Sequence, residues 1–163
     1  MKIVLGIDPG LSGALVWLSR NGLTFVKMPL NEEGRICYES IKEVIENSPP
    51  DHIYIERAVA FGMGVTGAFN YGQDFNAIKI GVGLTKIPFT LVEPGKWAKV
   101  MHQGIDKDMK PKAKSIVAVK RLYPQLLKDI PKGPRSGKLD EGIVDALLIA
   151  GYGLKQFEKE SEW

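Results

Sequence analysis

The feature that most constrains this chain is a carboxylate closing its first apolar run: Met1 to Ile7 reads MKIVLGI, and Asp8-Pro9-Gly10 follows at once. A continuous apolar segment stopped by Gly/Pro signals is the pattern of a buried central strand. Desolvating an unpaired charge there costs several kcal/mol, so a cation, a metal or a capping role is expected for Asp8. A turn Asp bonding its own backbone ahead of Pro-Gly is the bland alternative. A second copy of the pattern favours the first reading. Asp51-His52-Ile53-Tyr54-Ile55-Glu56-Arg57 is another β-branched and aromatic run with a carboxylate at its end. The chain between the two is long enough for a hairpin and a crossover helix, which would leave the two strands parallel and their terminal acids together.

A third element carries further acids. Asp140 to Ala150 (DEGIVDALLIA) has the small and apolar residues of a helix packed on a sheet, with acids near its first turn. Glu141 and Asp145 are one helical turn apart and share a face. Asp8, Glu56 and Asp145, with Glu141 beside them, form an all-oxygen set of the kind that binds Mg²⁺ or Mn²⁺. With two His and one Cys in the chain, no softer ligand set competes.

The 163 residues fit one domain, 1–163, large enough to bury a core without disulfides or structural metals, with 158–163 expected to fray. The lone Cys37 excludes an intramolecular disulfide and points to a reducing cytoplasm. The N-terminus enters a strand directly and no run of about 18 apolar residues exists, which argues against secretion and membrane spanning. Net charge is only +3, but ten Lys/Arg fall between Lys107 and Lys138 against Asp108 and Asp129, so the rest of the chain is acidic. A basic block beside an acid cluster suggests a polyanion held by the one and presented to metals held by the other. A solvated helix face with a surface loop is the alternative.

Periodicity predicts strands at 3–7, 14–18 and 23–28, the last two joined by the hairpin signal Asn21-Gly22. A helix over 32–46 is expected to stop at Ser48-Pro49-Pro50, before the strand ending at Glu56. A glycine-rich loop at 62–67 precedes a helix over 68–84, and a short strand at 89–93 leads into a helix begun by Pro94. Residues 112–122 read as a basic amphipathic helix with Ile116, Val117, Val119 and Leu122 inward, and 130–137 as a loop before the final helix. The result is an α/β fold whose mixed sheet joins an antiparallel three-stranded meander to parallel strands, flanked by helices.

That architecture is RNase H-like, and the residues carry a closer resemblance. Ile3-Val4-Leu5-Gly6-Ile7-Asp8-Pro9-Gly10, Ile53-Tyr54-Ile55-Glu56-Arg57, Lys112-Ala113-Lys114-Ser115 and Asp145-Ala146-Leu147-Leu148-Ile149-Ala150 follow the order and approximate spacing of the RuvC family of Holliday-junction resolvases. The resemblance covers about 1–153; each motif is short, and the ordered set is what is specific. The short meander and compact length resemble the phage-type members more than the bacterial housekeeping enzyme.

The resemblance implies a homodimeric, divalent-metal-dependent endonuclease that nicks two strands of a four-way DNA junction symmetrically, leaving 5′-phosphates, in the cytoplasm of a bacterial or phage-infected cell. It implies two Mg²⁺ ions per site, replaceable by Mn²⁺, held by Asp8, Glu56 and Asp145, with Asp8 bridging. The family's fourth acid, an Asp or His three residues before the last Asp, falls here on Gly142; Glu141 is the expected substitute and Asp140 the expected N-cap. Lys114 matches a family lysine near the scissile phosphate, and Lys99 is a weaker match. Phe61, two residues beyond the family's wedge position at Val59, is the candidate junction wedge. Lys107, Lys110, Lys112, Lys114 and Arg135, with Lys99, are expected to contact DNA, and the helix over 68–84 to lie near a dimer interface. A metal nuclease for flaps or other branched DNA, a catalytically weak junction-binding protein, and a nucleotide-binding lobe of the actin/sugar-kinase type are the competing readings. The last rests on Gly6-Ile7-Asp8-Pro9-Gly10 with Gly13 as a phosphate-gripping turn, and that fold needs two such lobes.

Overall fold

The computed structural model describes residues 1–134 and 137–160. Five strands, β1 (Val4–Asp8), β2 (Ala14–Ser19), β3 (Gly22–Lys27), β4 (His52–Glu56) and β5 (Phe89–Val92), form one sheet in the order β3-β2-β1-β4-β5. The first three pair antiparallel as a meander, while β4 and β5 join parallel to β1. The mixed sheet expected from the sequence is the one observed.

Side chains alternate between the two faces along each strand. Leu5, Ile7, Leu15, Trp17, Ile53 and Ile55 point to one face and pack with Ile41 and Ile45 of α1 (Tyr38–Asn47) and Ile78 and Val82 of α2 (Val65–Leu84). Val4, Val16, Leu18 and Tyr54 point to the other, against α3 (Pro94–Met101), α4 (Pro111–Leu122) and α5 (Glu141–Glu160). The apolar stretch Ile143 to Ala150 is buried except at Asp145. Its approach to the sheet is close: a Cβ on Gly6 would fall 2.2 Å from the Ala146 carbonyl oxygen and 2.5 Å from the Ala150 nitrogen. Only glycine lets α5 lie directly on β1.

Several boundaries differ from expectation. Residues 32–37 are not helical, because the Asn31 side chain accepts the N–H groups of Glu33 and Arg35 and Leu30 bridges to Ile36; α1 starts only at Tyr38. The α2 helix begins at Val65, ahead of Ala68, and α4 at Pro111, whose missing N–H costs nothing in a first turn. Val117 is exposed rather than inward; Ser115, Ala118 and Val119 form the buried stripe of α4. A 3-10 turn at Pro124–Asp129 links α4 to the following loop, and α5 continues to Glu160, so 158–160 remain helical where fraying was expected. Among the described residues no helix is long and apolar enough to cross a membrane.

Candidate active site

Register builds the site. The β1–β4 pairing ends at Ile7↔Ile55, so the next residues, Asp8 and Glu56, stand side by side at the sheet's end. Asp8 also pairs with Ala14, and Ala14 with Lys27. Lys27, Ala14, Asp8 and Glu56 therefore form a row on the α5 face, one strand spacing of about 4.8 Å apart. Asp145 descends onto this row from α5, brought down by the Gly6 contact.

The start of α5 is fixed by Asp140. Its Oδ1 accepts the Ile143 N–H at 3.1 Å and its carbonyl accepts the Val144 N–H at 2.9 Å, the geometry of the expected N-cap. Lys27 Nζ donates to the same Oδ1 and to the Ser12 carbonyl, both at 2.8 Å, tying β3 and the β1–β2 turn to the helix start.

The acids strain against each other. Burial, then the charges of Asp145 and Glu56, hold the Asp8 carboxyl well above the usual carboxylate range, with Lys27 and Lys112 acting in the opposite sense. Burial also raises Glu56, offset by the Trp97 indole, which donates Nε1–H to Glu56 Oε2, and reinforced by Asp145. Asp145 is raised by burial, lowered by the Ser115 hydroxyl, raised by Glu141 and lowered by Lys112. Its Oδ1 is buried with no hydrogen-bond partner. A bare, buried carboxylate oxygen facing other carboxylates is costly unless a cation completes it.

Among the described residues no three potential ligands stand close enough together to close a cage around a metal. The all-oxygen donor set nonetheless suits a hard divalent cation, held by one or two carboxylates and completed by water and substrate phosphate oxygens. The orphaned Asp145 oxygen beside Asp8 supplies that open arrangement.

The lysines divide into two groups. Lys112 Nζ lies 2.6 Å from Glu141 Oε2 and, with Lys27, is the cation felt by Asp8. Lys114, matched above to the family lysine, donates to the Lys107 carbonyl at 2.8 Å and lines a cleft with Lys99 and Lys107 between α3, the following loop and α4. Lys110 lies at the start of α4 on a neighbouring groove with Lys112. Arg135 lies outside the described residues. Phe61 is 95% exposed ahead of α2, followed by Val65 at 90% and Phe69 at 64%.

Four residues near the acids were not singled out by the sequence. Ser115 closes the Lys112–Ser115 motif and Trp97 lies in the helix begun by Pro94, but nothing in a linear motif says that an indole reaches Glu56 or a hydroxyl Asp145. Burial, and then the charges of Glu56 and Asp8, raise the phenol of Tyr71 in α2. Lys27 was recoverable in principle, since the Asn21-Gly22 hairpin pins β2 against β3 and puts residue 27 in register with residue 14.

No protein-family model matches the chain. It is 34% identical over 58 residues to a "33.9 kDa protein in glnA 5'region" of Lactobacillus delbrueckii subsp. bulgaricus, a match that spans 36% of this chain and 18% of that protein. Solved structures agree over far more of the molecule. The RuvC of Thermus thermophilus bound to a Holliday junction substrate superimposes with a TM-score of 0.62 at 16% identity, covering 94% of this chain and 96% of that one. The fowlpox virus resolvase, also with substrate Holliday junction DNA, gives 0.57 at 13% identity over 95% and 98%. The yeast mitochondrial Holliday junction resolvase Ydc2 gives 0.53 at 16% over 99% and 81%. The chain has the RNase H-like fold that RuvC and these other Holliday junction resolvases share.

Proposed function

We propose that this chain is a divalent-metal-dependent endonuclease that resolves four-way DNA junctions by paired symmetric nicks, leaving 5′-phosphates. The observation that carries the reading is the juxtaposition of Asp8, Glu56 and the bare, buried oxygen of Asp145 at one end of an RNase H-like sheet. Asp8 and Asp145, with Glu56, would hold the metal, with Glu141 as the fourth acid of the same helix face. When bound, two such ions would supply an activated water and charge stabilisation of the leaving 3′ oxygen.

The chain's own residues do the rest. The Trp97 indole orients Glu56 while leaving its second oxygen available, and α5, capped by Asp140, fixes Asp145 over β1. Lys112 stands at the acid cluster, next to where a phosphate would enter, and offsets charge there. Lys99, Lys107 and Lys114 line one cleft and Lys110 with Lys112 its neighbour, giving cationic walls for the DNA backbone; Arg135 would extend them. Exposed Phe61 suits a wedge against unstacked bases. Paired nicks require two sites, and the exposed Val65 and Phe69 at the start of α2 suit a homodimer contact.

The direct test incubates pure protein with labelled four-way junction, duplex and flap DNAs, with Mg²⁺ or EDTA. Symmetric paired nicks in the junction, absent with EDTA, are expected. Cleavage of flaps alone, or none, overturns the proposal.

A further inference from the structure

We infer that Lys27 is a resident cation of this acid cluster, standing beside the position a side chain at residue 142 would enter and limiting how tightly the acids hold a metal ion. The inference deepens the metal-nuclease reading above and rests on it.

Residue 142 precedes Asp145 by three positions, so a side chain there would share the helix face that meets the sheet. There is no room for one. A Cβ on Gly142 would lie 2.2 Å from the Ser12 carbonyl oxygen, 3.1 Å from Gly13 Cα and 3.1 Å from Lys27 Nζ. The Ser12 carbonyl fills the Cβ position itself, and the Lys27 ammonium stands beside it. The ammonium arrives from the opposite side of the site, through the row Lys27, Ala14, Asp8, Glu56, in which the small Ala14 leaves the path over β2 open.

Lys27 is held there by its two hydrogen bonds, to the Ser12 carbonyl and to Asp140 Oδ1. Its side chain is 44% exposed, so these two hydrogen bonds are what keep its charge at this end of the sheet, where it repels an ion that the acids bind. In the row, Lys27 is two strand spacings from Asp8, with only Ala14 between them, which puts its charge within range of the cluster. With glycine at 142, α5 presents no side chain there, and β3 brings a positive charge to within 3.1 Å of that position.

The test measures Mg²⁺ binding by calorimetry without DNA, at about pH 8 so that ordinary carboxylates are ionised. Lys27→Gln, which keeps a hydrogen-bond donor without charge, is expected to bind Mg²⁺ about tenfold more tightly, the scale of one screened unit charge. Lys27→Met should agree with it, and Lys27→Arg should match the wild type. Loss of a merely structural tie would lower the melting temperature and leave metal affinity unchanged or weakened; either result in both neutral variants overturns the inference. Junction cleavage by the wild type is assayed in parallel. Cleavage with no tightening in the variants sinks the role of Lys27 alone, whereas tightening without cleavage sinks the resolvase reading and leaves Lys27 in place. A wild type that binds no Mg²⁺ overturns both.

Discussion

On the α1/α2 face of the sheet, Leu5, Ile7, Leu15, Ile53 and Ile55 are sealed from solvent along the whole length of β1, β2 and β4. On the α5 face the same strands carry Val4, Gly6 and Tyr54, and then change to Asp8 and Glu56 at their last position. The alternation is identical; the last row is not. Each large side chain on the first face contributes roughly 1.5–3 kcal/mol by leaving water. The end row on the second face works against the fold, since burial and mutual repulsion raise all three acids. A local deficit of this kind, carried by an otherwise well-packed sheet, is where function is expected to sit.

The sharpest way to break this contrast is to substitute one residue from each face. Asp8→Asn should reduce metal-dependent junction cleavage to background while leaving junction binding intact or tighter, because it keeps the shape and removes a charge that repels phosphate. It should also stabilise the metal-free protein. Leu5→Ala, one strand turn away on the other face, should cost about 2–5 kcal/mol in denaturant unfolding and leave Mg²⁺ affinity of the folded protein unchanged. If Asp8→Asn unfolds the protein, or cleavage survives it, the division between the faces fails.

The pH dependence of the same pair gives a second test. A carboxyl whose folded pKa lies above its unfolded value near 3.8 binds its proton more tightly in the folded state. Its contribution is fully present below that value and is lost as pH rises through the folded pKa. Asp8→Asn has no such group, so its stability advantage over the metal-free wild type should widen as pH is raised from about 4 towards 8. Thermal unfolding in EDTA across that range measures the gap; a constant gap would mean that Asp8 is not desolvated in the folded chain.

Much of this was legible in the sequence because it depends on short-range patterns. Apolar runs ended by Asp8 and Glu56, the Asn21-Gly22 hairpin and the small-residue stretch after Glu141 were enough for the strand order's main features and the fold. What was not legible depends on contacts between distant segments. Residues 32–37 have helical composition, yet Asn31 offers their N–H groups a local acceptor and the Leu30–Ile36 bridge competes with a helical turn. The apolar chemistry of Val117 points it inward, whereas the α4 stripe is set by where α5 lies, which favours Ser115, Ala118 and Val119. The support for the acids was hidden for the same reason. Trp97 meets Glu56 across 41 positions and Lys27 meets Asp140 across 113, separations at which no motif speaks.

A smaller effect probes that support. Trp97→Phe keeps a buried aromatic ring, removes the N–H that orients Glu56 and also removes part of the indole's buried volume, whose cost appears in stability rather than in metal affinity. Groups that orient metal ligands typically account for about 10–100-fold in metal affinity or activity, so weaker Mg²⁺ binding within that range is expected. Calorimetry against the wild type measures it. Unchanged affinity would mean that Glu56 is positioned by its strand alone.

The finest distinction lies within the first turn of α5, between neighbours that point in different directions. Asp140 caps the helix and pairs with Lys27, while Glu141 pairs with Lys112 and raises Asp145, one turn further on. If Glu141 is the fourth acid, Glu141→Gln should cripple metal-dependent cleavage, whereas Asp140→Asn, still able to cap, should cost no more than about 1 kcal/mol of stability and little activity. The Lys112 ion pair is exposed and adds little to stability, so Glu141→Gln should leave the melting temperature almost unchanged. The two variants thus separate along different axes, rate for one and stability for the other. The reverse ranking in cleavage would place Asp140 at the metal, and equal tolerance of both changes would show that Asp8, Glu56 and Asp145 suffice.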